Sequence, residues 1–203
     1  MKLRKKAMMR NGVYSVLLVL CLLGLLPLSD AADKPIPTAS LPLIVTTCGQ
    51  SPGALMVKVI CDKNKLPCDQ NDLLKADQLA AKAKEGKPYK TVIITMGTSL
   101  KGMGAAGIDI NLETNRIKAV IEEAKKQQML IIGAHIEGKA RRVDDTDYAS
   151  ISAVVPNSAL LIIRRDGNED GFFTKLAEKH GIPLIEIKET LDLGDTLKKL
   201  FKM

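Results

Sequence analysis

The sequence predicts an α/β fold of the Rossmann-like, doubly wound class: a mainly parallel sheet of five to six strands with helices on both faces. Three observations carry that expectation. Short runs rich in Ile, Leu and Val recur along the chain, each apolar at consecutive positions, as in strands buried on both faces. Amphipathic stretches with helical spacing separate those runs. No internal repeat or low-complexity tract breaks the alternation.

The strands fall at Leu43–Thr47, Thr91–Met96, Met129–Ala134, Leu160–Arg164 and Leu184–Ile187, with a short sixth near Lys65–Cys68. Between them the helices announce their ends. Ser51-Pro52 sets a capping hydroxyl before a proline, ahead of the apolar positions Leu55, Met56, Val59 and Ile60. Asn111 is placed to cap Leu112–Gln128, whose stripe is Ile117, Val120, Ile121 and Ala124. Asp170 is placed to cap Gly171–His180, and Gly181 and Pro183 stop that helix. Leu193, Leu197, Leu200 and Phe201 mark a closing helix. Such alternation gives parallel pairing through right-handed crossovers. The strand order is not readable from the sequence; 2-1-3-4-5 with an added sixth strand is a guess.

The first 31 residues read as a signal peptide rather than as part of the fold. Lys2, Arg4, Lys5, Lys6 and Arg10 precede an apolar run from Val13 to Leu28, and Ser29-Asp30-Ala31 offers small residues at the −3 and −1 positions of a cut. The run's 16 residues fall short of the roughly 20 that span a bilayer, so membrane contact is expected only through an uncleaved leader. Leu20 before Cys21 is too bulky for a lipoprotein site. Residues 32–41 form a Pro-rich linker and 42–203 a single domain. The expected location is outside the cytoplasm, periplasmic or extracellular.

Removing the leader also changes the charge argument. The chain's 30 basic and 23 acidic residues lose five and one, leaving 25 against 22. With 3% aromatics and no Trp, a nucleic-acid surface is not expected. Cys48, Cys61 and Cys68 remain, and Cys61 with Cys68, flanking a polar turn, is the likelier couple; two unpaired thiols are the alternative. No CxxC or Cys/His spacing suggests a metal.

In open α/β sheets ligands bind beyond the carboxyl ends of the strands, where strand order reverses. The loops leaving those ends supply the candidates. The first holds Thr47, Cys48, Gly49, Gln50 and Ser51 and runs into a helix N-terminus that favours an anion. The third-strand loop holds Ser99 and Lys101 and a literal GxGxxG at Gly102, Gly104 and Gly107. Its distance from the strand and the missing downstream acid argue against a dinucleotide, so it is expected to be a mobile flap, and no cofactor is expected. Arg141 and Arg142 are the candidates for gripping an anionic group, with Glu137 beside them as an ion-pair partner. Asn168 completes the ligand-contact set. Cys48 as nucleophile with His135 as base is the catalytic alternative, although no third orienting residue is evident.

TTCGQSPGALMVK at 46–58, KGMGAAGIDI at 101–110, GKARR at 138–142 and GNEDGFFTKLAEK at 167–179 resemble a family of exported bacterial proteins described only as a domain of unknown function. The similarity spans most of residues 41–201. It implies a bacterial, extracytoplasmic α/β domain and carries over no catalytic residue. The leading expectation is a module that binds a small anionic molecule. The alternatives are a hydrolase or transferase using Cys48 or His135, or a domain whose loops serve a protein partner. Oligomeric state is not legible.

Overall fold

The computed structural model describes residues 34–203, so the expected signal peptide lies outside the described residues. Six strands form one parallel sheet: β1 (Leu43–Cys48), β2 (Cys68–Gln70), β3 (Thr91–Met96), β4 (Leu130–His135), β5 (Leu160–Arg164) and β6 (Leu184–Ile187). Their order is β2-β1-β3-β4-β5-β6, so the direction of winding reverses between β1 and β3. The Rossmann-like, doubly wound expectation holds.

Each face carries its own core. Strand alternation sends Leu43, Val45, Ile93, Ile132 and Ile162 towards α1 (Gly53–Lys63) and α7 (Leu193–Leu200). The intervening residues Ile44, Val92, Ile94, Ile131 and Leu161 meet α2 (Ala76–Lys84), α4 (Ile110–Lys126), α5 (Asp145–Val154) and α6 (Phe172–His180). Two-sided burial explains why the central residues of these strands are apolar at consecutive positions.

Several boundaries differ from the sequence reading, each for a local reason. The sixth strand is Cys68–Gln70 rather than near Lys65–Cys68. Lys65 takes a left-handed turn and Leu66 N–H closes on Cys61 O (2.9 Å), so pairing with β1 begins only at Cys68 opposite Leu43. The helix expected from Asn111 starts two residues earlier, because the Asp109 carboxylate accepts Leu112 N–H (2.8 Å). Ser51 caps nothing; Pro52 stands at the N-cap of α1. Asp170 accepts Phe172 N–H, but the N-cap of α6 is Gly171 and the Asn168 side chain takes Phe173 and Thr174 N–H. The strand β4 is shifted by one residue to Leu130–His135.

Two larger corrections concern the linker and the flap. The described part of the linker lies on the domain: Ala39 is buried, its N–H bonds Leu200 O (2.9 Å), and Lys34 reaches Gly181 O (2.5 Å). The glycine-rich segment is no loop but a short helix, α3 (Leu100–Ala106), capped by Ser99 and ended by Gly107. Among the described residues no helix is long and apolar enough to cross a membrane.

Close approach of the β1 and β3 loops makes Gly49 a testable point. Its φ of +118° suits glycine, and an added Cβ would lie 2.4 Å from Gly97 O. Gly49→Ala is expected to lower unfolding free energy by about 2–4 kcal/mol in urea titrations. Gly104→Ala, in α3 with open space around it, should be neutral or stabilising by up to about 1 kcal/mol. Equal effects would contradict the packing described.

Candidate functional site

Polar side chains from two helices set the loops at the carboxyl ends of the strands. Glu113, in the first turn of α4, is wholly buried. Its Oε1 accepts the Gly49 N–H (2.7 Å) and the Gln50 side-chain amide (3.0 Å). Arg116, one turn on, donates to both carboxylate oxygens at 2.8 Å, and also reaches Thr47 O (2.6 Å) and Leu74 O (2.7 Å). From α5, Asp147 accepts Thr98 N–H and hydroxyl (both 2.7 Å), and Ser150 Oγ accepts Gly97 N–H (3.0 Å) while donating to Cys48 O.

Held this way, the loops after β1 and β3 close on each other. Ser99 N–H donates to Gly49 O (2.8 Å) and Gln50 bridges Thr98 antiparallel. The helix α3 sits so close that a Cβ on Gly102 would lie 2.1 Å from Gln50 O. The crevice expected between these two loops is therefore filled by the chain itself.

The unpaired polar groups lie instead beneath the N-terminus of α1. Alternation along β1 and β3 sends Thr47 and Thr95, neighbours in register, to the α1 face. A Cβ on Gly53 would meet Glu137 Oε1 at 2.9 Å and Thr95 Oγ1 at 3.1 Å, so all three elements converge there. Thr47 Oγ1, Ser51 Oγ and Glu137 Oε1 are buried and have no hydrogen-bond partner among the described residues. The N–H groups of Gly53, Ala54 and Leu55 in the first turn of α1 likewise meet no backbone acceptor there. An unpartnered carboxylate oxygen of Glu137 thus lies against the first turn of α1, with the unpartnered hydroxyl of Ser51 just before that helix and that of Thr47 beside Thr95 in register.

The other expected ligand contacts are occupied within the protein. Arg141 holds Glu137 Oε2 (3.1 Å) and Thr98 O (2.7 Å), lying across the outside of the cluster. Arg142 is engaged by Asp170 and Gly167 O (2.9 Å) and stacks 4.8 Å over the Phe172 ring. Both guanidiniums are thus engaged by protein carboxylates and carbonyls, although Arg142 Nε is buried without a partner among the described residues. Gln50 turns to Glu113 and Asp72 O, Asn168 spends its amide on Thr174, Glu186 and the α6 cap, and Ser99 caps α3. Lys101 is exposed on α3. Of the expected contacts, Thr47 and Ser51 face the cluster, and Gly49 shapes the loop above it.

The catalytic alternative fails on geometry. Cys48 is buried on the α4–α5 face, away from the α1 N-terminus, and burial pushes its thiol up to about 12. His135 is buried too, with Nδ1 3.1 Å from Met96 O and Nε2 3.0 Å from Gly138 O, and its ring lies 4.8 Å from Phe173. Burial holds its pKa below the ordinary value. A ring with both nitrogens on backbone carbonyls has none left for a substrate proton. The second histidine, His180, ends α6 at the far end of that helix, so Ser51 has no base either. Among the described residues no group of three His, Cys, Asp or Glu could hold a metal ion.

Glu113, Arg116, Asp147, Ser150 and Thr95 were not among the expected residues. Glu113 did leave a trace. It stands four residues before Ile117, on the apolar stripe of its helix, where a carboxylate requires buried partners.

A family profile described as a domain of unknown function (DUF6305) matches residues 40–201. No curated protein matches the chain. Among solved structures, a GDSL-like lipase from Bacteroides thetaiotaomicron is 11% identical, with 77% of this chain and 72% of that one covered at a TM-score of 0.34. A lipolytic protein of the G-D-S-L family from Desulfitobacterium hafniense is 13% identical, with 71% and 76% covered at 0.33. A psychrotrophic esterase from Pseudoalteromonas is 10% identical, with 79% and 92% covered at 0.34. Likenesses this distant say nothing about activity.

Two predictions follow from the tethers and the thiol. Glu113→Gln leaves Arg116 short of its charged partner and should cost about 3–5 kcal/mol in denaturant titration; a loss under 1 kcal/mol would show that the pair does not hold the loop. Cys48, raised from an ordinary 9.0 to about 12, keeps its proton when folded while the unfolded thiol ionises. Its contribution is complete below pH 9 and is lost as pH rises towards 12. Cys48→Ala should flatten that alkaline fall, and native Cys48 should resist iodoacetamide at pH 8; rapid native alkylation would contradict the burial.

Proposed function

We propose that this chain, which belongs to the DUF6305 family, is an exported binding module whose small ligand sits beneath the N-terminus of α1, at the carboxyl ends of β1, β3 and β4. The observation that carries the reading is the set of unpartnered buried oxygens on Thr47, Ser51 and Glu137. Each such group costs about 1–3 kcal/mol if left unsatisfied. Three of them around one helix N-terminus are explained by a guest that bonds them all.

The chemistry of the cluster narrows the guest. The first-turn N–H groups and two hydroxyls donate, which suits a carboxylate or phosphate oxygen. Glu137 Oε1 accepts, which requires a hydroxyl or amine on the same molecule. A small hydroxylated or aminated anion meets both demands. A bare inorganic anion would face the Glu137 carboxylate without compensation. Arg141, bonded to Glu137 and to Thr98 O, is the side chain that would move to admit such a guest. Export rests on the basic, apolar and small-residue segments of the leader. Nucleic acid has no place in this reading, and no residue pair near the cluster supplies a nucleophile with a base.

Thermal denaturation against small hydroxycarboxylates, amino acids and sugar phosphates tests the proposal. At saturation a genuine ligand should raise Tm by several degrees. Ser51→Ala should abolish that rise while leaving the unliganded protein as stable as before or more so, since it removes an unsatisfied buried hydroxyl. The reading is wrong if no compound in the panel shifts Tm, or if Ser51→Ala and Glu137→Gln keep the shift intact.

A further inference from the structure

Two of the three described cysteines meet where α1 hands over to the edge strand. Cys61 lies in the last turn of α1 and is buried; Cys68 opens β2 and is half-buried. The turn between them is tightly closed: Lys65 is left-handed, Leu66 N–H returns to Cys61 O, and the Asn64 amide bonds Ile60 O (2.8 Å). This reversal packs Cys68 against the core cluster that holds Cys61, while its thiol donates to Asp69 O (3.3 Å). Cys68 also lines a groove of about 550 Å³ with Lys58, Asp69, Gln78 and Tyr89, which gives a soluble oxidant access to its sulfur. Cys48 packs in the core on the opposite face of the sheet.

We infer that Cys61 and Cys68 are a disulfide-forming pair, a modification site that fastens the edge strand β2 to the end of α1. That strand has most to gain, being three residues long and paired in the sheet only with β1 among the described residues. The chemistry balances with a soluble disulfide such as oxidised glutathione as oxidant. Cys68 loses its proton and attacks one glutathione sulfur, expelling the other glutathione as a thiolate that takes up a proton. Cys61, deprotonated in turn, attacks the Cys68 sulfur of the mixed disulfide and expels the second glutathione. Two protein thiols are oxidised and one glutathione disulfide is reduced. Cys68 beside it lowers the Cys61 thiol, while Cys61 and burial raise Cys68, so the first attack draws on the small thiolate fraction of the more exposed sulfur.

The full-length protein, equilibrated with oxidised glutathione, capped with iodoacetamide and digested with trypsin without reduction, tests the inference. The expected product is peptide 59–63 joined to peptide 66–75, lighter by two hydrogens than the sum of the two. Oxidation should also raise the folding equilibrium constant roughly tenfold to a hundredfold. Dithiothreitol should reverse that gain, and Cys68→Ser should never show it. Full alkylation of both cysteines, a bridge to Cys48 or Cys21, or glutathione retained on Cys68 without ring closure would each overturn the pairing.

Discussion

The buried Glu113–Arg116 pair is the interaction on which the carboxyl end of the sheet depends. A carboxylate with no solvent exposure must find donors, and here it takes two from Arg116, one from Gly49 and one from Gln50. Those bonds fix the loop after β1 in a form with positive φ at both Gly49 and Gln50. The loop in turn sets where α1 begins and which way Ser51 faces. Asp147 and Ser150 do the same for the β3 loop from the neighbouring helix. The top of the domain is therefore built from helix-borne polar groups aimed at backbone, and the unpartnered Thr47 hydroxyl lies on the opposite, α1 face.

That arrangement explains what was legible in the sequence and what was not. The buried parallel strands were readable because two-sided burial forces uninterrupted Ile, Leu and Val, and the long amphipathic helix α4 was readable from its stripe. The class and the count of five to six strands follow from that alternation; the strand order does not, because alternation fixes which runs are strands and not which run lies beside which. Boundaries slipped where a neighbouring group competed for a cap, as Asp109 did with Asn111 and Asn168 with Asp170. The glycine-rich segment at 100–106 misled because Gly102 serves close packing against Gln50 rather than looseness. The helices α2 and α5 are short and carry few buried apolar positions near their starts, so periodicity marked them weakly.

Loop position at strand ends singled out the Thr47–Ser51 segment, where the Thr47 and Ser51 hydroxyls are unpartnered among the described residues, but residue type alone could not tell a free arginine from one already paired. Arg141 and Arg142 look like anion grips in one dimension; in three, Glu137, Thr98 O, Asp170 and Gly167 O claim them. Conversely Glu137, which reads as a mere ion-pair partner, gives only one oxygen to Arg141 and leaves the other beside Gly53. Cys48 and His135 fail as reactive groups for one shared reason. Each is a side chain of the sheet's interior, desolvated on the α4–α6 face, where ionisation is costly.

A high-resolution crystal structure of the protein purified without refolding, soaked in a hydroxycarboxylate, examines the cluster most directly. The account predicts density for a non-protein molecule within hydrogen-bonding distance of Thr47 Oγ1, Ser51 Oγ, Glu137 Oε1 and the first-turn N–H groups of α1. Ordinary waters alone at those atoms, unchanged by the soak, or side chains rotated to pair with one another, would contradict it.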